Sequence, residues 1–144
     1  MPGLMRMVNI VSIRSHRAEI DQCLRIIEKI DFLLDVQQIA VGVDQIEPLL
    51  DDLLNSVIES RECWRAISDK FLDMTLNIDS DKVEVLQYCM HTLRWAEVEK
   101  YARSRLASET AIGKQRLYER LIESFSDVWP ERDLYSRYDA GSSH

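Results

Sequence analysis

The stretch 80–106, SDKVEVLQYCMHTLRWAEVEKYARSRL, constrains the fold more than any other part of the chain. Val83, Leu86, Met90 and Leu93 recur at the spacing of one helix face, and Trp95, Val98, Tyr101, Ala102 and Leu106 repeat the pattern after a joint near Thr92. Two short amphipathic helices joined this way cannot cover their own apolar faces, so each pair needs a neighbour to lie against. Only four glycines and three prolines punctuate the 144 residues, too few for the many turns of an all-β chain.

The same pattern runs through most of the chain. Ile20, Cys23, Leu24, Ile27 and Leu34 predict a first helix with one apolar face, with a break near Ile30 and Asp31. Gly42 punctuates the first half as a residue suited to ending a helix in the left-handed conformation. Asp44 with Glu47 then resembles a capping box, with Pro48 in the first turn. Ile46, Leu49, Leu50, Leu53, Leu54, Val57 and Ile58 form the widest stripe, followed by Trp64, Ile67, Phe71 and Met74. Asn77, Asp79 and Ser80 mark a break through their preference for caps. Leu117, Leu121, Ile122 and Phe125 align on a further helix, and Pro130 holds Trp129 extended before a short last one. The reading is all-α, with seven or eight helices in residues 15–138 as a single domain. Residues 1–14 are read as strand or helix of undetermined order, and residues 139–144 as a disordered tail.

Trp64, Trp95 and Trp129 stand 31 and 34 residues apart, and 32 residues before Trp64 lies Phe32. Ile39, Phe71, Tyr101 and Tyr135 follow these four after six or seven positions. A period of this length built from paired helices is the mark of a solenoid. With neither a tetratricopeptide nor an ankyrin pattern present, the chain resembles degenerate HEAT-like helical-hairpin repeat proteins over about Ser15 to Tyr138, a kind that includes small bacterial immunity proteins. The resemblance implies stacked antiparallel hairpins, a short α-solenoid. The alternative is an irregular helical bundle whose period is accidental.

Charge is distributed unevenly. Between Lys29 and Arg61 there is no basic residue, while Asp31, Asp35, Asp44, Glu47, Asp51, Asp52 and Glu59 carry the whole net charge of −7. Residues 94–120 instead hold Lys100, Arg103, Arg105, Lys114, Arg116 and Arg120. A field of one sign speeds encounter with a partner of the other, and an acidic balance disfavours nucleic acid and anionic membrane surfaces. Asp44, Glu47, Asp51, Asp52, Glu59 and Glu62 are therefore the candidate partner-binding carboxylates, with Trp64 and Tyr88 as aromatic anchors.

No phosphate loop, dinucleotide fingerprint, nucleophile elbow or HExxH motif is present. Cys89 and His91, two residues apart, diverge around a helix and do not converge on a metal. The sequence gives no catalytic residue, metal site or cofactor. Cys23, Cys63 and Cys89, odd in number and far apart, are expected to be free thiols in a reducing cytoplasm. No run is long enough to cross a bilayer, and the N-terminal stretch does not read as a signal peptide. The expectation is a non-enzymatic cytoplasmic protein that binds a basic protein partner, concretely an immunity protein against a basic toxin. A scaffold or homodimeric adaptor is the first alternative, and a regulator touching nucleic acid through its later basic residues is the second.

Overall fold

The computed structural model describes residues 2–39 and 42–139, with side chains described from His16 onward. Six α-helices and two 3-10 helices account for most of these residues: α1 (Pro2–Gln37), α2 (Val43–Glu59), α3 (Trp64–Leu76), α4 (Ser80–Leu93), α5 (Ala96–Ser108) and α6 (Ile112–Glu123), with 3-10 turns at Arg61–Cys63 and Pro130–Leu134. The described residues contain no strand. The backbone of residues 2–14 belongs to α1. Of the tail, Asp139 is described and donates its N–H to the Tyr135 carbonyl; residues 140–144 lie outside the described part.

The first helix differs from the reading of its sequence in two ways. It runs without a break through Ile30 and Asp31, which removes one expected helix boundary. Its inward stripe is Ile26, Ile30 and Leu33, at most 1% exposed, while Ile20 and Leu24 are 45% and 50% exposed. The residues at 20, 24 and 27 lie roughly one residue, or 100°, around the helix from the buried stripe. Both stripes are apolar, so spacing alone does not say which faces inward. Ile30 anchors the middle of the buried seam, and a break there would interrupt it.

The second helix follows its stripe closely: Ile46, Leu50, Leu53, Leu54 and Val57 are buried. Its cap does not. Gly42 is the N-cap, with extended backbone at φ −80°, and no side chain caps the helix. Asp44 already lies inside α2, its Oδ1 2.6 Å from where a Cβ on residue 42 would stand, and Pro48 falls beyond the first turn. At α4 the reading holds better. Asp79 is the N-cap, and its carboxylate accepts from the N–H groups of Asp81 and Lys82.

In α4, Val85, Leu86, Gln87, Tyr88, Cys89 and Met90 are all buried, so this helix is enclosed on every side. It packs on α1, α2, α3 and α6. The remaining helix contacts pair α1 with α2, α5 with α6, α1 with α3 and α3 with α5. Arg94 ends α4 in the left-handed conformation at φ 51°, unfavourable for a residue with a Cβ. Its guanidinium donates to the carbonyls of His91 and Phe125 and to Asp127, contacts that hold the turn in place.

The aromatic period is expressed unevenly. Trp64 opens α3, Trp95 is the N-cap of α5 and Trp129 is the N-cap of the last 3-10 helix, where Pro130 follows an extended Trp129 as expected. Phe32 sits inside α1, five residues before its C-terminal end, and is 57% exposed. It shares neither the position nor the burial of the other three.

Candidate partner-binding surface

The eight residues singled out by the sequence fall into those with partners inside the chain, those without, and Trp64. Glu47, Asp51 and Tyr88 belong to a cluster under the C-terminal segment. Glu47 accepts the backbone N–H groups of Ser136 and Arg137. Asp51 accepts from the Tyr88 phenol and from the Arg137 guanidinium, which also donates to Asn55. Asp52 pairs with Lys29 at 3.0 Å. The same holds for Asp31, which pairs with Lys70 at 2.9 Å. Much of the acidity of this span is thus met inside the chain.

Around Tyr88 the C-terminal segment lays down an aromatic layer. Tyr135 and Tyr138 meet the Tyr88 ring edge-on with centroids 5.0 and 5.1 Å away, and Trp129 stacks near Tyr135. Tyr135 donates to Glu84, and Tyr138 donates to the Tyr88 carbonyl. Burial, followed by the nearby Asp51 carboxylate, holds the Tyr88 phenol far above the usual tyrosine range. Tyr135 is raised by burial and then by Glu84, and burial pushes Tyr138 up to about 12. His91 touches the layer through Trp129 and Tyr138. Its Nδ1 lies 2.8 Å from the Ser124 carbonyl, which can only accept, so Nδ1 carries the proton. Burial holds the imidazole below its usual pKa. These contacts strap the C-terminal segment onto α2 and α4. Tyr88 is fully buried here and has no surface to offer a partner.

Asp44, Glu59 and Glu62 form the second group. All are exposed, and none has an ion-pair partner among the described residues. Glu62 lines a groove of about 250 Å³ between α1 and the start of α3. Its walls are the outward stripe Ile20, Leu24 and Ile27, with Glu19 and His16 at the edge.

Trp64 stands apart. Its indole N–H donates to the Val57 carbonyl at 2.7 Å, and its ring lines a second groove of about 490 Å³ between α3 and the start of α5. Arg65, Ser68 and Asp69 from α3 and Trp95, Ala96 and Glu97 from the α5 side complete that groove. Asp69 and Glu97 also lack an ion-pair partner among the described residues. Both grooves lie along the α1, α3 and α5 row. The sequence pointed to Trp64 and Glu62 here and missed Ser68, Asp69, Trp95 and Glu97. The Trp64–Trp95 period was the available signal, since their rings meet with centroids 5.2 Å apart.

Of the six later basic residues, Arg103, Arg116 and Arg120 are matched as well, and so is Arg94. Arg103 pairs with Glu99, Arg116 with Glu119 and Glu123, Arg120 with Glu131, and Arg94 with Asp127.

The cysteines correct a sequence expectation. Cys23 and Cys63 are joined in a disulfide linking α1 to the Arg61–Cys63 turn, so two of the three are not free thiols. A separation of 40 residues hid the pair, and only the packing of α1 brings their Cα atoms to 5.2 Å. Cys89 is free and wholly buried, which pushes its thiol up to about 12. Among the described residues no group of three or more His, Cys, Asp or Glu is placed to hold a metal, and no helix is long and apolar enough to cross a membrane. No protein-family model, no curated protein and no solved structure matches this chain.

Proposed function

We propose that the chain is a non-enzymatic protein-binding protein whose α1, α3 and α5 row receives a basic partner, concretely an immunity protein that neutralises a basic toxin. The observation that carries this reading is the fate of the carboxylates. Those of α2 that meet the C-terminal segment and Lys29 are used internally, while Glu19 and Glu62 on one groove and Asp69 and Glu97 on the next have no ion-pair partner among the described residues. Unmatched charge beside exposed apolar and aromatic surface is suited to a macromolecular partner. The pairing of α1 with α2, α3 with α4 and α5 with α6 supports a HEAT-like reading, in which three hairpins stack and the odd-numbered helices share one face.

The test is co-purification with the product of a neighbouring gene that encodes a basic domain. Binding is expected to fall steeply as salt rises from about 0.05 to about 0.5 M, through screening of the groove carboxylates. The charge reversals Glu62→Lys and Asp69→Lys are expected to weaken it further. Salt-independent binding that survives both substitutions would overturn the reading.

A second reading, a homodimeric adaptor, draws on Ile20 and Leu24, which leave an apolar stripe open on α1. It requires a mass of two chains that persists at high salt and is lost in Leu24→Glu. A nucleic-acid role finds little support, because Arg103, Arg116 and Arg120 are already paired with carboxylates. Cytoplasmic residence goes with the immunity reading, whereas the Cys23–Cys63 bond favours an oxidising compartment. Thiol trapping in intact cells separates the two.

A further inference from the structure

We propose that the groove between α3 and the start of α5 is a receptor for an arginine side chain carried on an extended segment of the partner. This deepens the partner-binding reading above and rests on it. Three properties of the groove specify the occupant. Its walls include two indoles, Trp64 and Trp95, inclined at 51°. Flat aromatic faces suit a planar guanidinium better than a compact ammonium. The same contact already exists within the chain, where Arg61 Cζ lies 5.4 Å from the Trp64 ring centroid.

The rim carries Asp69 and Glu97 beside Arg65, with Arg61 standing over the outer Trp64 ring, and neither carboxylate has an ion-pair partner among the described residues. Each carboxylate is free to accept from a guanidinium, and a fork of N–H donors matches a carboxylate better than any other cationic side chain does.

The third property calls for more than a cation. Ser68 Oγ and Trp95 Nε1 are two of the five buried side-chain polar atoms without a hydrogen-bond partner among the described residues, and both residues line this groove. Ser68 as a whole is only 6% exposed. An indole N–H can only donate, so it needs an acceptor. A main-chain carbonyl beside the inserted arginine supplies one. An extended peptide carries both groups on one residue, whereas an isolated cation or an isolated anion satisfies half of the lining. The volume of about 490 Å³ accommodates one such residue and its flanking backbone.

The experiment titrates the full chain with acetyl-Gly-Arg-Gly-amide, and with the same peptide carrying citrulline or lysine, while following the indole N–H resonances; Trp95→Phe assigns the one that matters. The arginine peptide is expected to saturate near about 1 mM and to move the Trp95 resonance. Citrulline, with the same shape and no charge, is expected to bind at least about tenfold more weakly, and lysine to fall between the two. Asp69→Asn with Glu97→Gln is expected to weaken the arginine peptide about tenfold without moving the unfolding midpoint. Equal binding of citrulline, unchanged affinity in the double variant, or no saturation at about 20 mM, well above a millimolar Kd, would each overturn the proposal. The partner reading is judged separately: a basic protein that binds wild type and double variant equally leaves that reading standing and removes the groove from it.

Discussion

Two regions of the molecule treat the same kind of side chain in opposite ways. Under the C-terminal strap, Asp51 is held by Tyr88 and Arg137, and Glu47 by two backbone N–H groups. Along α3 and α5, Asp69 and Glu97 stand beside two indoles with no ion-pair partner among the described residues. One set of carboxylates fastens a chain end; the other is open to solvent. Acidity along the sequence is therefore no guide to accessible charge, because ion-pair partners come from distant segments such as Arg137, 86 residues from Asp51.

The sharpest way to break this contrast is at the strap's aromatic anchor. Trp129 is 1% exposed and packed against His91, Tyr135 and Tyr138. Trp129→Ala is expected to cost about 3–5 kcal/mol in urea unfolding. A loss below about 1 kcal/mol, little more than an average surface change, would mean that the strap is not part of the folding unit. Next in size is the covalent tie. The Cys23–Cys63 bond closes a separation of 40 residues, for which chain entropy gives roughly 4 kcal/mol as a ceiling. Reduction, or Cys23→Ser with Cys63→Ser, is expected to lower the melting temperature; an unchanged melt would show that α1 docks without it.

A matched pair of neutralising substitutions compares the two regions directly. Asp51→Asn leaves Arg137 and the buried Tyr88 with a poorer acceptor and is expected to cost about 1–3 kcal/mol. Asp69→Asn is expected to stay within about 0.5 kcal/mol. Equal costs would erase the distinction.

The remaining expected effects are in pH. Tyr138 keeps its proton to about 12 in the fold, above the ordinary tyrosine value of about 10. Its contribution is therefore complete below pH ~10 and disappears as pH rises towards about 12. His91 is depressed by burial, so its neutral form supports the fold fully above its unfolded pKa of about 6.5. That support declines as pH falls through the folded value, because only the unfolded chain takes up the proton readily. Spectrophotometric titration of the tyrosines and a stability profile from pH 5 to 8 check the two limbs, and His91→Gln should flatten the acid one.

Much of the core was legible from spacing. The stripes of α2 and α3 appear buried where their periodicity puts them, and Asp79 caps α4 as an Asn-Ile-Asp-Ser break suggests. Spacing does not single out the buried stripe of α1, because Ile20, Leu24 and Ile27 compete with Ile26, Ile30 and Leu33 at equal hydrophobicity. Tyr88 was expected as a surface anchor and is enclosed, because α4 is covered on all sides and the strap closes over it. Of the candidate residues, Trp64 and Glu62 reached a groove; Glu47, Asp51 and Asp52 were taken by partners within the chain.

The amino-acid order by itself determined that this chain is helical, where most of its helices begin and end, and which residues of each helix are oily, because these follow from contacts three and four residues apart. Tertiary structure alone decided which of two apolar stripes on α1 turns inward, that Cys23 meets Cys63, and that Asp31, Asp51 and Asp52 find a cation. Those ties join groups 23 to 86 positions apart, whose approach is set by how helices pack and not by any local preference.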